Sequence, residues 1–265
     1  MDAILQVRMS SSRLPGKALL PVLGRPLLWY NIERIRLSRM IDRVVVATST
    51  DPADDVITAA CEGWGTPVFR GSLNDVLDRI YGCARHFEMD VFAKFTADNP
   101  LIDPCVIDAV IAGFRSNPAP LDYYSNNHPP TWPDGQEIEV IRTAALESAW
   151  RESQEAFQRE HVTVWLWDQP QRFRVGNLAR SNNAWYQRYR WTLDFPEDYV
   201  LIRRIFEELY PAQPAFGTTQ IMALIDRKPE LAELNRRHKG DVWYRHHRDS
   251  LQTVAKEMTL ESSRP

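Results

Sequence analysis

Ala3-Ile4-Leu5-Gln6-Val7 runs directly into Arg8-Met9-Ser10-Ser11-Ser12-Arg13-Leu14-Pro15-Gly16-Lys17. The apolar run has the length of a buried strand, and the segment after it is a polar, basic loop closed by a Pro-Gly turn. Working outward, Pro26 opens a helical stretch from Leu27 to Met40, where Leu28, Ile32, Ile35 and Leu37 roughly follow helical spacing. Val44-Val45-Val46-Ala47 reads as a second strand from its β-branched content. Asp51-Pro52 ends it and starts a helix to about Cys61. Pro67-Val68-Phe69 is a third strand, Asn74 to Phe87 a third helix, and Val91-Phe92-Ala93-Lys94-Phe95 a fourth strand. Continuous apolar strands separated by helices predict an α/β fold with a parallel sheet covered on both faces. Ligands of such sheets bind outside the carboxyl ends of the strands. The loops at 8–17, 70–75 and 97–103 should therefore face one crevice.

Beyond about residue 120 the pattern loosens. Strands are expected at Asp122–Ser125, Ile138–Ile141 (half-exposed, from its alternation), Phe173–Gly176 and Arg190–Leu193. Helices are expected at Thr143–Ser153, His161–Asp168 and Pro196–Leu209, the last with Pro in its first turn and Glu197 and Asp198 behind it. Asn126 to Gly135 is a proline-bearing loop. The tail after Gly240, with Trp243, Tyr244, His246 and His247, reads as a peripheral helix and a frayed end. The division is one domain over 1–240 and a tail over 241–265.

A chain of 265 residues that is 44% hydrophobic can bury a sizeable core. A net charge of -3 with interspersed signs argues against a general nucleic-acid binder. No apolar run approaches the about 20 residues of a membrane span, and no basic-then-apolar leader opens the chain. Cys61, Cys83 and Cys105 lack zinc or disulfide spacing and read as reduced packing residues of a cytoplasmic protein. Several of the nine tryptophans (Trp150, Trp165, Trp167, Trp185, Trp191) fall in the second half, to pack a core or line an interface.

Five segments carry chemistry. The loop at 8–17 can aim backbone N–H groups (Gly16 included) and the hydroxyls of Ser10, Ser11 and Ser12 at phosphate oxygens, with Arg8, Arg13 and Lys17 supplying charge. It is not a Walker loop, because that spacing is absent. Asp98, just past the fourth strand, stands where a nucleotide-bound metal is within reach, and magnesium takes one or two carboxylates plus phosphate oxygens. Asp103 before Pro104 reads equally as a helix cap. Asp194 in Arg190-Trp191-Thr192-Leu193-Asp194-Phe195-Pro196 is an N-cap or a second metal ligand, and Asp198 a macrodipole partner. In Arg70-Gly71-Ser72-Leu73-Asn74-Asp75, Asn74 or Asp75 either caps the helix or walls a base and ribose, with Gly71 allowing close backbone approach. Asp134-Gly135-Gln136-Glu137-Ile138-Glu139, with Arg159-Glu160-His161 downstream, offers a solvent face or an acceptor pocket; Glu137 and Glu139 share one strand face, and a lone His161 is more often structural than a base.

The strand and loop from Ala3 to Lys17, with Gly24-Arg25-Pro26-Leu27, resemble the opening signature of the CTP-dependent cytidylyltransferases, which include CMP-Kdo and CMP-sialic acid synthetases. The blocks at 71–79, 98–103, 134–140, 159–163 and 190–198 resemble the spore-coat polysaccharide biosynthesis protein F branch. The resemblance implies a Rossmann-like, mostly parallel sheet of the nucleotide-diphospho-sugar transferase kind, with an inserted dimerisation or acceptor region at about 120–190, and a homodimer. It implies Arg13 and Lys17 on the CTP phosphates, and Asp98 and Asp194 as Mg2+ ligands. It departs at Asp134–Val140, unlike the sugar-binding part of the Kdo and sialate enzymes. The expected reaction moves CMP from CTP to a small acidic sugar, phosphate or phosphonate. Lys17, Arg13 and Asp98 are its catalytic residues; Arg8, Ser10, Ser11, Ser12, Gly16, Gly71, Asn74 and Asp75 bind the nucleotide; Asp134, Glu137, Glu139, Arg159 and His161 bind the acceptor. The rivals are a glycosyltransferase, which would usually show an Asp-x-Asp pair that Asp98-Asn99-Pro100 lacks, and a silent nucleotide-binding subunit.

Overall fold

β1 (Asp2–Gln6) is the pivot of the sheet, with Ala3 and Leu5 packed into one apolar cluster, Ile4 into another, and all three fully buried. The computed structural model describes residues 1–240, 247 and 250–254. In chain order there follow β2 (Pro21–Val22) and β3 (Arg25–Pro26), α1 (Leu27–Arg36), β4 (Arg43–Ser49), α2 (Asp55–Gly63), β5 (Val68–Gly71), α3 (Val76–His86), β6 (Val91–Thr96) and α4 (Pro104–Ser116). Next are β7 (Tyr123–Ser125), β8 (Glu139–Arg142), α5 (Thr143–Glu152), α6 (Ala156–Glu160), α7 (Val164–Trp167) and β9 (Val175–Asn177). The chain then forms α8 (Ala184–Arg188), α9 (Pro196–Leu209), α10 (Thr218–Arg227) and α11 (Glu230–Glu233).

Among the described residues the main sheet has seven strands in the order β5-β4-β1-β6-β8-β7-β9. β5, β4, β1 and β6 run parallel; β8 is antiparallel to both β6 and β7, and β9 is parallel to β7. The result is the expected mostly parallel α/β sheet, with its reversal at β8. The segment at about 120–190 builds the far half of this same sheet. Leu28 and Ile32 of α1, Ile57 of α2 and Ile107 of α4 cover one face, while Leu77 and Ile80 of α3, Leu146 of α5 and Leu166 of α7 cover the other. A third cluster joins Leu27 and Tyr30 to Trp191, Leu193 and the apolar sides of α9 and α10.

Four expectations are corrected. Ile138, Glu139, Val140 and Ile141 are all buried, because α4 and α5 cover both faces of β8. The first helix stops at Arg36, where Ser38 leaves the helix and gives its hydroxyl to Asp108. The helix expected over 161–168 is shorter, running only from Val164 to Trp167; Val162, whose φ of 34° lies in the left-handed region, separates it from α6, which ends at Glu160. Arg190–Leu193 is extended but no strand: it is stitched between two loops, with Trp191 N donating to Asp134 O (2.6 Å) and Leu193 N to Asp98 O (2.7 Å). Trp243, Tyr244, His246 and the Ser-Ser-Arg-Pro end lie outside the described residues. Within the described residues no helix is long and apolar enough to cross a membrane.

Candidate active site

The carboxyl ends of β1 and β6 open into a cleft of about 1110 Å³. Its lining includes Arg8, Ser10, Ser11, Ser12, Arg13 and Lys17 from the loop after β1. The loop is held by a residue that sequence reading passed over. Asp54 is 1% exposed and accepts from Met9 N (2.7 Å), Thr48 Oγ1 (3.0 Å) and Ser49 N (3.1 Å). Burial works to raise this carboxyl, but the donors from Ser49, Met9 and Thr48 outweigh it and hold it below its usual range. Gly16 does not line the cleft; it turns the loop at φ 71°, where a side chain is disfavoured, and so aims Lys17 back inward.

Lys17 Nζ then gathers the two distant acids. It donates to Asp194 Oδ1 (2.9 Å) and Leu193 O (2.7 Å) and lies 3.8 Å from Asp98 Oδ2. Arg13 reaches the same Asp194 oxygen at 3.0 Å. Burial tends to raise the Asp194 carboxyl, but Lys17, Arg13 and Arg190 together bring it below its usual range. Asp98 Oδ1 is buried and, among the described residues, has no hydrogen-bond partner. An orphaned carboxylate oxygen beside a second carboxylate suits a hard divalent cation, which also takes phosphate oxygens and water. Among the described residues no three His, Cys, Asp or Glu side chains gather as a metal cluster, so the protein's share would be this pair.

Behind Asp194 sits Arg190, 3% exposed, whose weight the sequence did not reveal. Its guanidinium reaches Asp134 (2.8 Å), Asp194 (3.3 Å) and Asp198 (3.2 Å). Asp198 is more than a macrodipole partner: fully buried, it accepts from Asp194 N (2.9 Å), Phe195 N (3.0 Å) and Asn235 Nδ2 (2.7 Å). Asp134 lines the cleft, and burial raises its carboxyl to about 6 against the pull of Arg190. Gly135 beside it has φ 104°, and a Cβ there would come within 2.7 Å of the Trp191 carbonyl carbon.

Glu137 and Glu139 both line the cleft rather than a solvent face. Glu139 pairs with Lys94 at 2.6 Å, an ion pair placed by the Lys94↔Glu139 register of β6 and β8, and Lys94 is a lining residue the sequence did not flag. Burial would raise Glu139, but Lys94 and the hydroxyls of Thr163 and Tyr123 bring it below its usual range. Glu137 accepts from Asn99 Nδ2 (2.8 Å) and Gly135 N (2.9 Å) and, among the described residues, has no cationic partner. Burial, then the charge of Asp134, raises it to about 8. His161 lines the cleft with its ring pushed down to about 3 by burial, so it is uncharged at neutral pH.

Besides Gly16, three of the expected binding residues stand outside the lining. A Cβ on Gly71 would come within 3.0 Å of the Arg79 side chain, so the glycine makes room for α3. Asp75 caps α3 through Asp78 N (2.9 Å) and pairs with Arg159 at 2.6 Å, so these two brace α3 against α6. Asn74 is in the lining. Asp103 caps α4 through Cys105 N (2.8 Å) and also accepts from Thr218 N (2.6 Å).

The cytidylyltransferase family profile matches residues 3–249. The chain is 32% identical over 239 residues to spore coat polysaccharide biosynthesis protein SpsF of Bacillus subtilis, covering 86% of this chain and 95% of that one. It is similar to the solved structure of a cytidylyltransferase from Leptospira borgpetersenii, with a TM-score of 0.81 and 27% identity over 87% of this chain and 95% of that one. It shares its fold with CMP:2-keto-3-deoxy-manno-octonic acid synthetase, solved with CTP, at a TM-score of 0.60 and 19% identity over 78% of this chain and 99% of that one. A basic loop and two converging acids beside the carboxyl ends of β1 and β6, in a chain matched along nearly its whole length, identify it as a nucleotidyltransferase that belongs to the cytidylyltransferase family.

Proposed function

We propose that the protein transfers CMP from CTP to a small acidic sugar, phosphate or phosphonate, in surface-polysaccharide or related biosynthesis, with Mg2+ bound. The observation that carries this is the convergence of Lys17, Asp98 and Asp194, with one Asp98 oxygen unpartnered among the described residues. An acceptor oxygen attacks the α-phosphorus of CTP in line. The new P–O bond forms as the bond to the β-phosphate bridge breaks; pyrophosphate departs and the acceptor's proton goes to water in the open cleft. Lys17 and Arg13 offset the charge that grows on the phosphates, and the Ser10–Ser12 loop orients them. Asp98 and Asp194 would hold Mg2+, whose chemistry is to neutralise phosphate charge. No covalent nucleophile is called for. The homodimer implied by the family resemblance belongs to this proposal, as does a reducing, CTP-supplied cytoplasm, which three free cysteines support.

Pyrophosphate release, measured with CTP, ATP, GTP and UTP in turn over an acceptor panel, tests the reading. Release with CTP is expected. Silence with every nucleotide, or tight CTP binding without turnover on any acceptor, overturns it.

A further inference from the structure

His128 lines the cleft from the loop after β7, on the far side of the sheet from the phosphate loop that follows β1. Its ring lies 4.0 Å from that of Trp167, another lining residue. Its Nε2 is 3.1 Å from Thr253 Oγ1. Thr253 is fixed in turn: Asp168, 8% exposed, accepts from Gln252 N (2.9 Å), Thr253 N (2.8 Å) and the Thr253 hydroxyl (2.8 Å). Leu251, 9% exposed, anchors the same segment in the core cluster that contains Trp167 and Phe173.

The proton bookkeeping of this chain has one solution. A carboxylate has no hydrogen to give, so the single hydroxyl hydrogen of Thr253 goes to Asp168. Thr253 Oγ1 then meets His128 only with a lone pair, and Nε2 must carry the hydrogen. Burial pushes the imidazole down to about 4, so the ring is neutral and Nδ1 is a bare acceptor. Among the described residues Nδ1 has no hydrogen-bond partner, in a ring that faces the cleft.

We propose that Asp168 and Thr253 are positioning residues that lock His128 in its Nε2–H tautomer, so that Nδ1 accepts a hydrogen bond from a hydroxyl of the acceptor. Segment 250–254 thereby belongs to the acceptor site. What fills the cleft rests on the transfer reading above; the tautomer does not.

Nitrogen-15 spectra of histidine-labelled protein, with the His128 signals assigned by His128→Gln, test the lock without any ligand. The Nε2–H pattern is expected in the wild type, a mixture of tautomers in Thr253→Val, and the wild-type pattern again in Thr253→Ser. Nδ1–H in the wild type, or a pattern unmoved by Thr253→Val, overturns the lock, whether or not the protein transfers CMP. The second arm uses CTP with 2-keto-3-deoxy-manno-octonic acid, a sugar phosphate and a phosphonate, and takes the compound that releases pyrophosphate. Thr253→Val should raise the KM of that compound about tenfold, the scale of one neutral hydrogen bond, and leave the KM of CTP within about twofold. Equal rises in both KM values, or no rise in the first, overturn the acceptor role.

Discussion

Lys17 and Arg190 both bind Asp194, through different oxygens, yet they sit in clusters of opposite character. The Lys17 cluster is open: the Asp98 side chain is 32% exposed, Arg13 is 45% exposed, and among the described residues one Asp98 oxygen is unpartnered. The Arg190 cluster is closed: its guanidinium side chain is 2% exposed, Asp198 is fully buried, and donors from Asp194, Phe195 and Asn235 fill the Asp198 oxygens. A charge that is buried with every partner present holds a structure together; one left part-exposed and short of a partner is arranged for something that arrives later. Asp194 belongs to both clusters, so the closed one fixes the aim of the open one.

Breaking the closed cluster should have the largest effect. Asp198→Ala leaves Arg190 in the core one carboxylate short and strips the N–H groups of Asp194 and Phe195 of their acceptor. A loss of about 3–5 kcal/mol in urea unfolding is expected. A loss below about 1 kcal/mol would mean that the two clusters do not differ in this way.

The open cluster should answer in rate rather than stability. Lys17→Ala and Asp98→Ala are each expected to lower turnover at least about 100-fold, about 2.7 kcal/mol of barrier, with little change in urea midpoint. Near-normal turnover in either variant removes that residue from the machinery.

The same contrast governs what the sequence could reveal. The four parallel strands, their helices and the crevice at loops 8–17 and 97–103 follow from local pattern, because an apolar strand covered on both faces looks alike wherever it sits. The meeting of Lys17, Asp98 and Asp194 could be expected from local pattern, because Lys17 follows a turn, Asp98 a strand end, and Asp194 precedes a Pro-initiated helix. Arg190, Asp54 and Lys94 were not, because nothing within a few residues of them shows that a distant carboxylate or amide will arrive; their roles exist only after the chain has closed. For the same reason Arg190–Leu193 read as a strand: its apolar content is real, but its backbone partners are loops contributed by Asp98 and Asp134.

The pair of Asp75 and Arg159 sharpens the comparison at lower stakes. Asp75 was expected as the helix cap or at the nucleotide, and Arg159 at the acceptor; together they brace α3. Asp75→Asn keeps an N-cap and removes only the charge that Arg159 meets. A cost of about 1 kcal/mol is expected, with the KM of CTP within about twofold. A rise of tenfold in that KM would return Asp75 to the nucleotide site.

The last test of the comparison is Glu137, which shares features of both clusters: its oxygens have N–H donors, but it opens on the cleft and, among the described residues, meets no cation. Burial raises its carboxyl to about 8, against about 4.3 for an unfolded glutamate. Between those values the folded protein holds a proton that the unfolded chain has released, so this group makes stability fall as pH rises and adds no further loss above about 8. Glu137→Gln abolishes that dependence while keeping the shape of the side chain. The variant should therefore melt with the wild type near pH 4 and above it at pH 9, with the gap opening between those values, as followed by thermal unfolding across that range. A melting difference that stays constant with pH would show that Glu137 is charged throughout, and would place it with the satisfied acids of the Arg190 cluster.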